Sequence, residues 1–331
     1  MPFQIVRNDI SQMKVDAIVN TANPQPVVGA GVDSAIHKAA GPKLLAARQK
    51  IGTIAPGNAA ITPGFGLAAK YVIHTVGPVW NGGQHNEEAL LRSCYEQSLK
   101  LAHSKRCQSV AFPLISTGTY GFPKDKALQI AMSAIGAFLL ENELTVYLVV
   151  FDRTSYQLSE QLFEGISSYI DENYVDIYSK SICSAANAQR RRKACLATEE
   201  MAMPCMAAPM SLDDMLKQQD AGFTETLLRR IDGTGKKDSE VYKKANLSKQ
   251  HFSKIRNNKD YKPTKATAIA LAIALELNLE ETRDLIGRAG YALTNSSKFD
   301  LIVRYFIEQG NYSIMDINMA LYEFDQPLLG A

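Results

Sequence analysis

The stretch "VNTANPQPVVGAGVD", Val19 to Asp33, decides how the first half of this chain is read. An apolar run ends in two asparagines, Asn20 and Asn23. A loop of small residues follows, and a lone acid, Asp33, closes it. Taken singly, each part has a structural explanation: asparagine after a strand forms turns, and aspartate before a helix caps its N-terminus. Taken together, they gather two amides, pliable backbone and one carboxylate in a single loop.

Outward from this loop, the chain from Phe3 to about Ile170 alternates short β-rich runs with helical stretches. "FQIVRND", "DAIVNTAN", "YVIHTVGP", "SVAFPLIS" and "LTVYLVVFD" are apolar, branched and short, as strands are. Between them, "GVDSAIHKAAGPKLLAARQK", "NEEALLRSCYEQSLKLAHSK" and "PKDKALQIAMSAIGAFLLEN" carry apolar residues at helical spacing. Such alternation predicts an α/β sandwich on a largely parallel sheet, with ligands bound beyond the carboxyl ends of its strands.

The informative residues fall at those ends. Asp9 can accept from an exocyclic amine or a backbone N–H, and Asn20 and Asn23 suit sugar hydroxyls. Gly29, Ala30 and Gly31, with Val32 and Asp33 after them, let backbone N–H groups approach a ligand. The helix opening near Asp33 adds partial positive charge that favours phosphate. A second loop of this kind, "ISTGTYGFP", runs from Ile115 to Pro123 between a strand and a helix. Its Ser116, Thr117, Gly118, Thr119, Tyr120 and Gly121 offer hydroxyls and glycine backbone. Two anion-cradling loops on one sheet edge fit a diphosphate better than a single phosphate. Neither has the lysine spacing of a P-loop, and "GAGVD" lacks the GxGxxG spacing.

In order, "NDIS", "VDAIVNTAN", "GAGVDSAIHKAAG", "AAKYVIHTVGPVW" and "ISTGTYGFP" resemble the successive motifs of a macrodomain, closest to the MacroD-type hydrolases, over about Met1 to Ile170. The resemblance implies a three-layer α/β/α fold with a mixed, largely parallel sheet and an ADP-ribose cleft at the strand ends. By motif, Asp9 resembles the acid that holds the adenine amino group, with Ile10 beside it. Asn23 and Asp33 match the family's catalytic pair, and the "GAG" and "STGTYG" segments resemble its two diphosphate loops. Phe151 resembles the aromatic that packs on adenine; a buried core aromatic is the alternative. The sequence departs from the pattern at Thr21, where alanine is usual, and at "VGAG", where four glycines are usual. Val28 and Ala30 therefore put rate and substrate range in question more than binding.

On this reading Asn23 orients the distal ribose, and Asp33 holds or polarises the attacking water while the diphosphate assists as a base. No metal ligand set is visible, so the expected reaction is metal-independent hydrolysis, with ADP-ribose as ligand or product and no cofactor. The expected substrates are mono-ADP-ribose esters on acidic side chains or O-acetyl-ADP-ribose. His74, in a strand among apolar neighbours, reads as structural. His37, one helical turn after Asp33, stands behind it at best.

The chain has 331 residues, 46% hydrophobic and 21% charged, with a formal net charge of +2, long enough for two domains. No signal peptide or membrane-spanning run is read, and its five cysteines lack metal-type spacing, so the cytoplasm is the expected location. The expected division is a macrodomain over 1–175, a linker over 176–210 containing "RRRK", and an all-α domain over 211–331. In the last, "DSEVYKKANLSKQHFSKIRNNKDYKPTKATAIALAIAL" resembles the helix-turn-helix of phage-repressor-type regulators. Lys249, Gln250, Ser253 and Lys254, with Ser248 and Arg256, would then face DNA. From Ser211 to Lys265 there are thirteen basic and eight acidic side chains, the sign a polyanion partner requires. A protein-interaction role for this domain, RNA regulation through its basic face, and a non-catalytic ADP-ribose sensor that controls it stay open as competing functions.

Overall fold

Alternation at a period of two sets the two faces of the sheet. The computed structural model describes residues 2–150, 160–173 and 221–330. Phe151, the segment 176–210 and the stretch "SLDDMLKQQ" lie outside the described residues. The strands are β1 (Phe3–Arg7), β2 (Ala17–Thr21), β3 (Ala59–Pro63), β4 (Tyr71–Thr75), β5 (Ser109–Pro113) and β6 (Thr145–Val150). They lie in the order β1-β6-β5-β2-β4-β3, all parallel except β3, which runs antiparallel to β4.

Among the described residues the first half also holds α1 (Val32–Ala40), α2 (Pro42–Ile51), α3 (Glu87–Ser104), α4 (Lys124–Glu141) and α5 (Glu160–Asn173). Ala17, Val19, Ile73, Val110, Phe112, Val146 and Leu148 face one core with residues of α3, α4 and α5. Ile18, Val72, Ala111 and Val149 face the other with Ile36 of α1 and Leu44 of α2. Both faces are covered, so the strands read as nearly continuous apolar runs. This is the three-layer α/β/α arrangement, followed by a helical region.

Two sequence expectations change here. The helical stretch after "GAGVD" is two helices, because Gly41 takes φ +81° and Pro42 opens the second. Strand β3 is not among the expected strands; Ala59, Ala60 and Ile61 are half-buried, Thr62 is buried and Pro63 exposed, so it carries little apolar alternation.

The helical region contains α6 (Phe223–Thr234), α7 (Asp238–Lys244), α8 (Lys249–Asn257), α9 (Lys265–Ala274), α10 (Leu279–Gly287), α11 (Lys298–Glu308) and α12 (Ile314–Glu323). Ser248, Thr264, Asn278, Ser297 and Ser313 each accept a backbone N–H of the helix they open. Helix α9 is the hub, buried from Thr267 to Ala274.

This region does not hang free. It shares one apolar cluster with the outer face of the sheet, α4 and α5. Asn246 clasps the edge strand β1 as a neighbouring strand would: its Oδ1 accepts from Phe3 N at 2.9 Å and its Nδ2 donates to Phe3 O at 3.0 Å. Tyr242 donates to Glu143 (2.9 Å) and Lys243 to the carbonyl of Leu140 (2.9 Å), just beyond and at the end of α4.

Candidate active site

Beyond the carboxyl ends of β2, β5 and β6 lies a cleft of about 480 Å³. One wall is built from residues 21–23 and 29–33, the other from residues 113–120, with Gly77, Lys124, Val149 and Val150 between. Helix α1 opens at this cleft behind Gly31 with no side-chain cap, so its first N–H groups are left for a ligand. Gly31 takes φ +63° and ψ −127°, a conformation that side chains rarely adopt.

Asn23 and Asp33 meet across Gly29. A Cβ on Gly29 would come within 2.9 Å of Asn23 Nδ2 and 3.3 Å of Asp33 Oδ2. Gly29 N donates to Asp33 Oδ2 at 2.5 Å, and Asn20 Nδ2 donates to Asp33 Oδ1 at 2.5 Å. His37 Nε2 stands 3.5 Å from the same Oδ1, one turn along α1. Asn23 is steadied from two sides. Its Oδ1 accepts from Tyr120 OH at 3.4 Å, linking the two loops, and its Nδ2 donates to Val27 O at 3.3 Å.

The second loop holds one residue in the left-handed backbone region. Ser116 takes φ +66°, is nearly buried, and its Oγ has no hydrogen-bond partner. Gly77 makes room for it, since a Cβ there would lie 2.0 Å from Ser116 Oγ. Tyr120 O accepts from Trp80 N at 2.9 Å, and the Trp80 ring packs on Phe122 with centroids 4.7 Å apart. The segment carrying Trp80 is in turn anchored on buried Glu87, which accepts from the N–H groups of Asn81, Gly83 and His85.

Several expected residues stand elsewhere. Asn20 is a correction: it is fully buried, spends its amide on Asp33 and His74, and lies behind the cleft instead of facing a sugar. The Ile10 side chain is buried in the core under α1 and α2 and does not line the cleft. Asp9 caps the short turn Ile10–Gln12, its Oδ1 accepting from Ser11 N and Oγ. Gly121 lies outside the wall, turning the chain at φ +64°. Gly29, Ala30, Gly31, Val32, Ser116, Thr117, Gly118, Thr119 and Tyr120 line the cleft with Asn23 and Asp33. Of the departures from the family pattern, Thr21 and Ala30 are on the wall, whereas Val28 is 43% exposed and off it.

Sequence reasoning missed Arg48. It is 2% exposed and donates to the carbonyls of Asn23 and Pro24, each at 3.1 Å, and to that of Gly52, pinning the loop from behind. Burial pushes its guanidinium below the ordinary value, and the charge of Asp33 pulls it back. Only its place on helix α2, turned inward, could have signalled this. His74 is fully buried; burial, then the neighbouring Arg48 and His37, push it down to about 3, so it is neutral. Among the described residues, no three His, Cys, Asp or Glu side chains gather as a metal site.

Residues 19–131 match the family model described as Macro domain. A "Macro domain-containing protein" of Methanosarcina mazei is 51% identical over 155 residues, covering 46% of this chain and 83% of that protein. An "O-acetyl-ADP-ribose deacetylase" of Cronobacter sakazakii is 49% identical over 166 residues, covering 48% and 92%. The structure of the Oceanobacillus iheyensis macrodomain with ADP is 42% identical, covering 46% of this chain and 85% of that one, with a TM-score of 0.45.

Proposed function

The chain belongs, over its first half, to the macrodomain family, and on that premise we propose that it is a metal-independent hydrolase of ADP-ribosyl esters. The ligand is ADP-ribose, its diphosphate cradled between the two loops. The substrates are mono-ADP-ribose on acidic side chains or O-acetyl-ADP-ribose, the molecule named for the Cronobacter sakazakii relative. One observation carries the reading: the amide of Asn23 and the carboxylate of Asp33 flank Gly29 on a cleft wall where α1 presents an uncapped N-terminus. Asn23 orients the distal ribose through its hydroxyls. Asp33, held by two N–H donors, retains lone pairs with which to orient a water against the ester. Water adds across one C–O bond, giving free ADP-ribose and a carboxylic acid.

The test is to incubate the protein with mono-ADP-ribosylated protein and, separately, with O-acetyl-ADP-ribose. Release of ADP-ribose or acetate is then followed. Release abolished by Asp33→Ala supports the reading. Tight ADP-ribose binding without release from either substrate would leave a non-catalytic sensor in its place.

A second reading concerns the helical region, as a helix-turn-helix DNA-binding module. It is favoured by α8, which contains no acidic residue, buries Phe252 and Ile255, and exposes Lys249, Gln250, Ser253 and Lys254. Ser253 and Lys254 border a groove completed by Asn257, Asn258 and Tyr261. Polarisation titration of the full chain with duplex DNA should give binding that falls steeply with salt. No binding to any duplex at low salt points to a protein partner. Within this proposal the division is 1–175, 176–210 and 211–331, and the setting is the cytoplasm. No helix of the described residues is long and apolar enough to cross a membrane.

A further inference from the structure

Behind the cleft runs a chain of buried polar groups that the reaction does not touch. Asn20 Nδ2 lies 2.5 Å from Asp33 Oδ1 and 3.2 Å from His74 Nδ1. His74 Nε2 lies 2.9 Å from Thr62 Oγ1, which lies 3.5 Å from the carbonyl oxygen of Val72. Asn20, His74 and Thr62 are all buried, at 0%, 0% and 4% exposed. None of them lines the cleft.

The chemistry at the Asp33 end gives the chain one direction. A carboxylate can only accept, so the Asn20 nitrogen beside Asp33 is the donor there, and the same nitrogen against His74 Nδ1 puts the imidazole proton on Nε2, toward Thr62 Oγ1. That leaves Nδ1 of His74 without a proton, able to accept from Asn20. An amide nitrogen carries two hydrogens, so Asn20 gives one to His74 and one to Asp33. Were the amide turned over, its carbonyl oxygen would face the Asp33 carboxylate, and two acceptors would meet in a buried site. The Asp33 carboxylate and the neutral Nε2–H form of His74 thus both call for the Asn20 nitrogen on this side, which leaves its buried Oδ1 without a hydrogen-bond partner.

We propose that Asn20 and His74 are positioning residues for the reaction: they hold Asp33 Oδ1 while Gly29 N–H holds Oδ2, so that the carboxylate plane is fixed against the water. This rests on the reading of Asp33 as the residue that orients that water. Burial and the nearby Arg48 guanidinium keep His74 neutral, which the donation from Asn20 requires. Because neither residue lines the cleft, their loss falls on turnover and leaves ADP-ribose affinity largely intact. A misplacement of the order of 1 Å costs roughly a hundredfold in rate.

Three variants and one spectrum test this. His74→Leu is expected to lower kcat roughly ten- to a hundredfold, with the Kd for ADP-ribose within about threefold by calorimetry. His74→Asn, whose Oδ1 replaces the accepting Nδ1, should recover much of the loss. Thr62→Val, close in shape, cuts the far link and should lower kcat less than His74→Leu; it carries the kinetic test if His74→Leu does not fold. Nitrogen NMR of imidazole-labelled protein at neutral pH should show His74 protonated at Nε2 and bare at Nδ1. A proton on Nδ1, an unchanged kcat in folded His74→Leu, or equal losses in the Asn and Leu variants would overturn the proposal. The parent reading fails separately, through an inactive wild type or a fully active Asp33→Ala, and the kinetic part of the proposal falls with it. An inert His74→Leu beside a dead Asp33→Ala sinks the positioning role alone.

Discussion

Gly29 is the residue on which the site is most finely balanced. Its backbone N–H holds Asp33, and the space where a Cβ would sit is bounded by Asn23 and Asp33. Gly29→Ala should therefore push the pair apart, lowering ADP-ribose release at least about tenfold while stability changes by no more than about 1 kcal/mol. Turnover equal to wild type in steady-state assays would show that the pair tolerates the spread. Asp33→Ala should abolish release and keep much of the ADP-ribose binding, with Asn23→Ala the milder of the two. His74 makes a pH prediction of definite sign. Its folded value is pushed down to about 3, below the unfolded one, so the unfolded chain binds the extra proton first. Its contribution is full above the unfolded histidine value and is lost as pH falls toward 3, amounting to about 2 kcal/mol by pH 5. Urea unfolding should show His74→Asn with a shallower loss of stability over that window than wild type.

At the scale of elements, the break between α1 and α2 rests on backbone conformation alone. Gly41 takes φ +81°, and a Cβ there would meet nothing within 4 Å. Gly41→Ala should thus cost about 1–3 kcal/mol from the positive-φ, extended backbone and nothing from crowding. A denaturation midpoint unmoved by the change would refute that account. In α8, Arg256 pairs with Asp238 of α7, while Lys254 borders the groove beside Ser253. Residues two apart on a helix diverge by about 200°, so the two cations serve different faces. Gln250→Ala with Lys254→Ala should weaken duplex DNA binding more than Arg256→Ala does. The opposite order in a polarisation titration would move the interface to the α7 side.

At the scale of the molecule, the described helical region and the sheet share a core, and Asn246 joins them through both polar groups of Phe3. Two domains with a common core unfold together. Calorimetry should show one transition for the full chain, raised by saturating ADP-ribose. Asn246→Ala leaves the Phe3 N–H and carbonyl unpaired in a buried place and should cost about 1–3 kcal/mol. Separate melting of a helical unit, untouched by ADP-ribose, would mean that the clasp does not couple them. Helix α4 strengthens the expectation: it starts at the cleft with Lys124, and α7 reaches the carbonyl of Leu140 near its other end.

The alternation of branched apolar runs with helical periods was legible in the sequence, because both faces of a parallel sheet must be covered and every strand pays for that in apolar residues. The two loops were legible too, since glycine and hydroxyl residues between strand and helix are local chemistry. The caps Ser248, Thr264, Asn278, Ser297 and Ser313 rest on chemistry just as local, yet they were not read as caps, and Ser248, expected to face DNA, instead accepts from His251 N at the start of α8. The rest depended on distance along the chain. Strand β3 exists only by pairing with β4, and Arg48 matters only because α2 folds back beneath Asn23 and Pro24. Asn20 carried the signature of a sugar-binding amide, yet its neighbours proved to be Asp33, thirteen residues on, and His74, fifty-four residues on. Local sequence states which groups a residue carries; only the tertiary fold decides which of them face the ligand and which are consumed in holding another residue still.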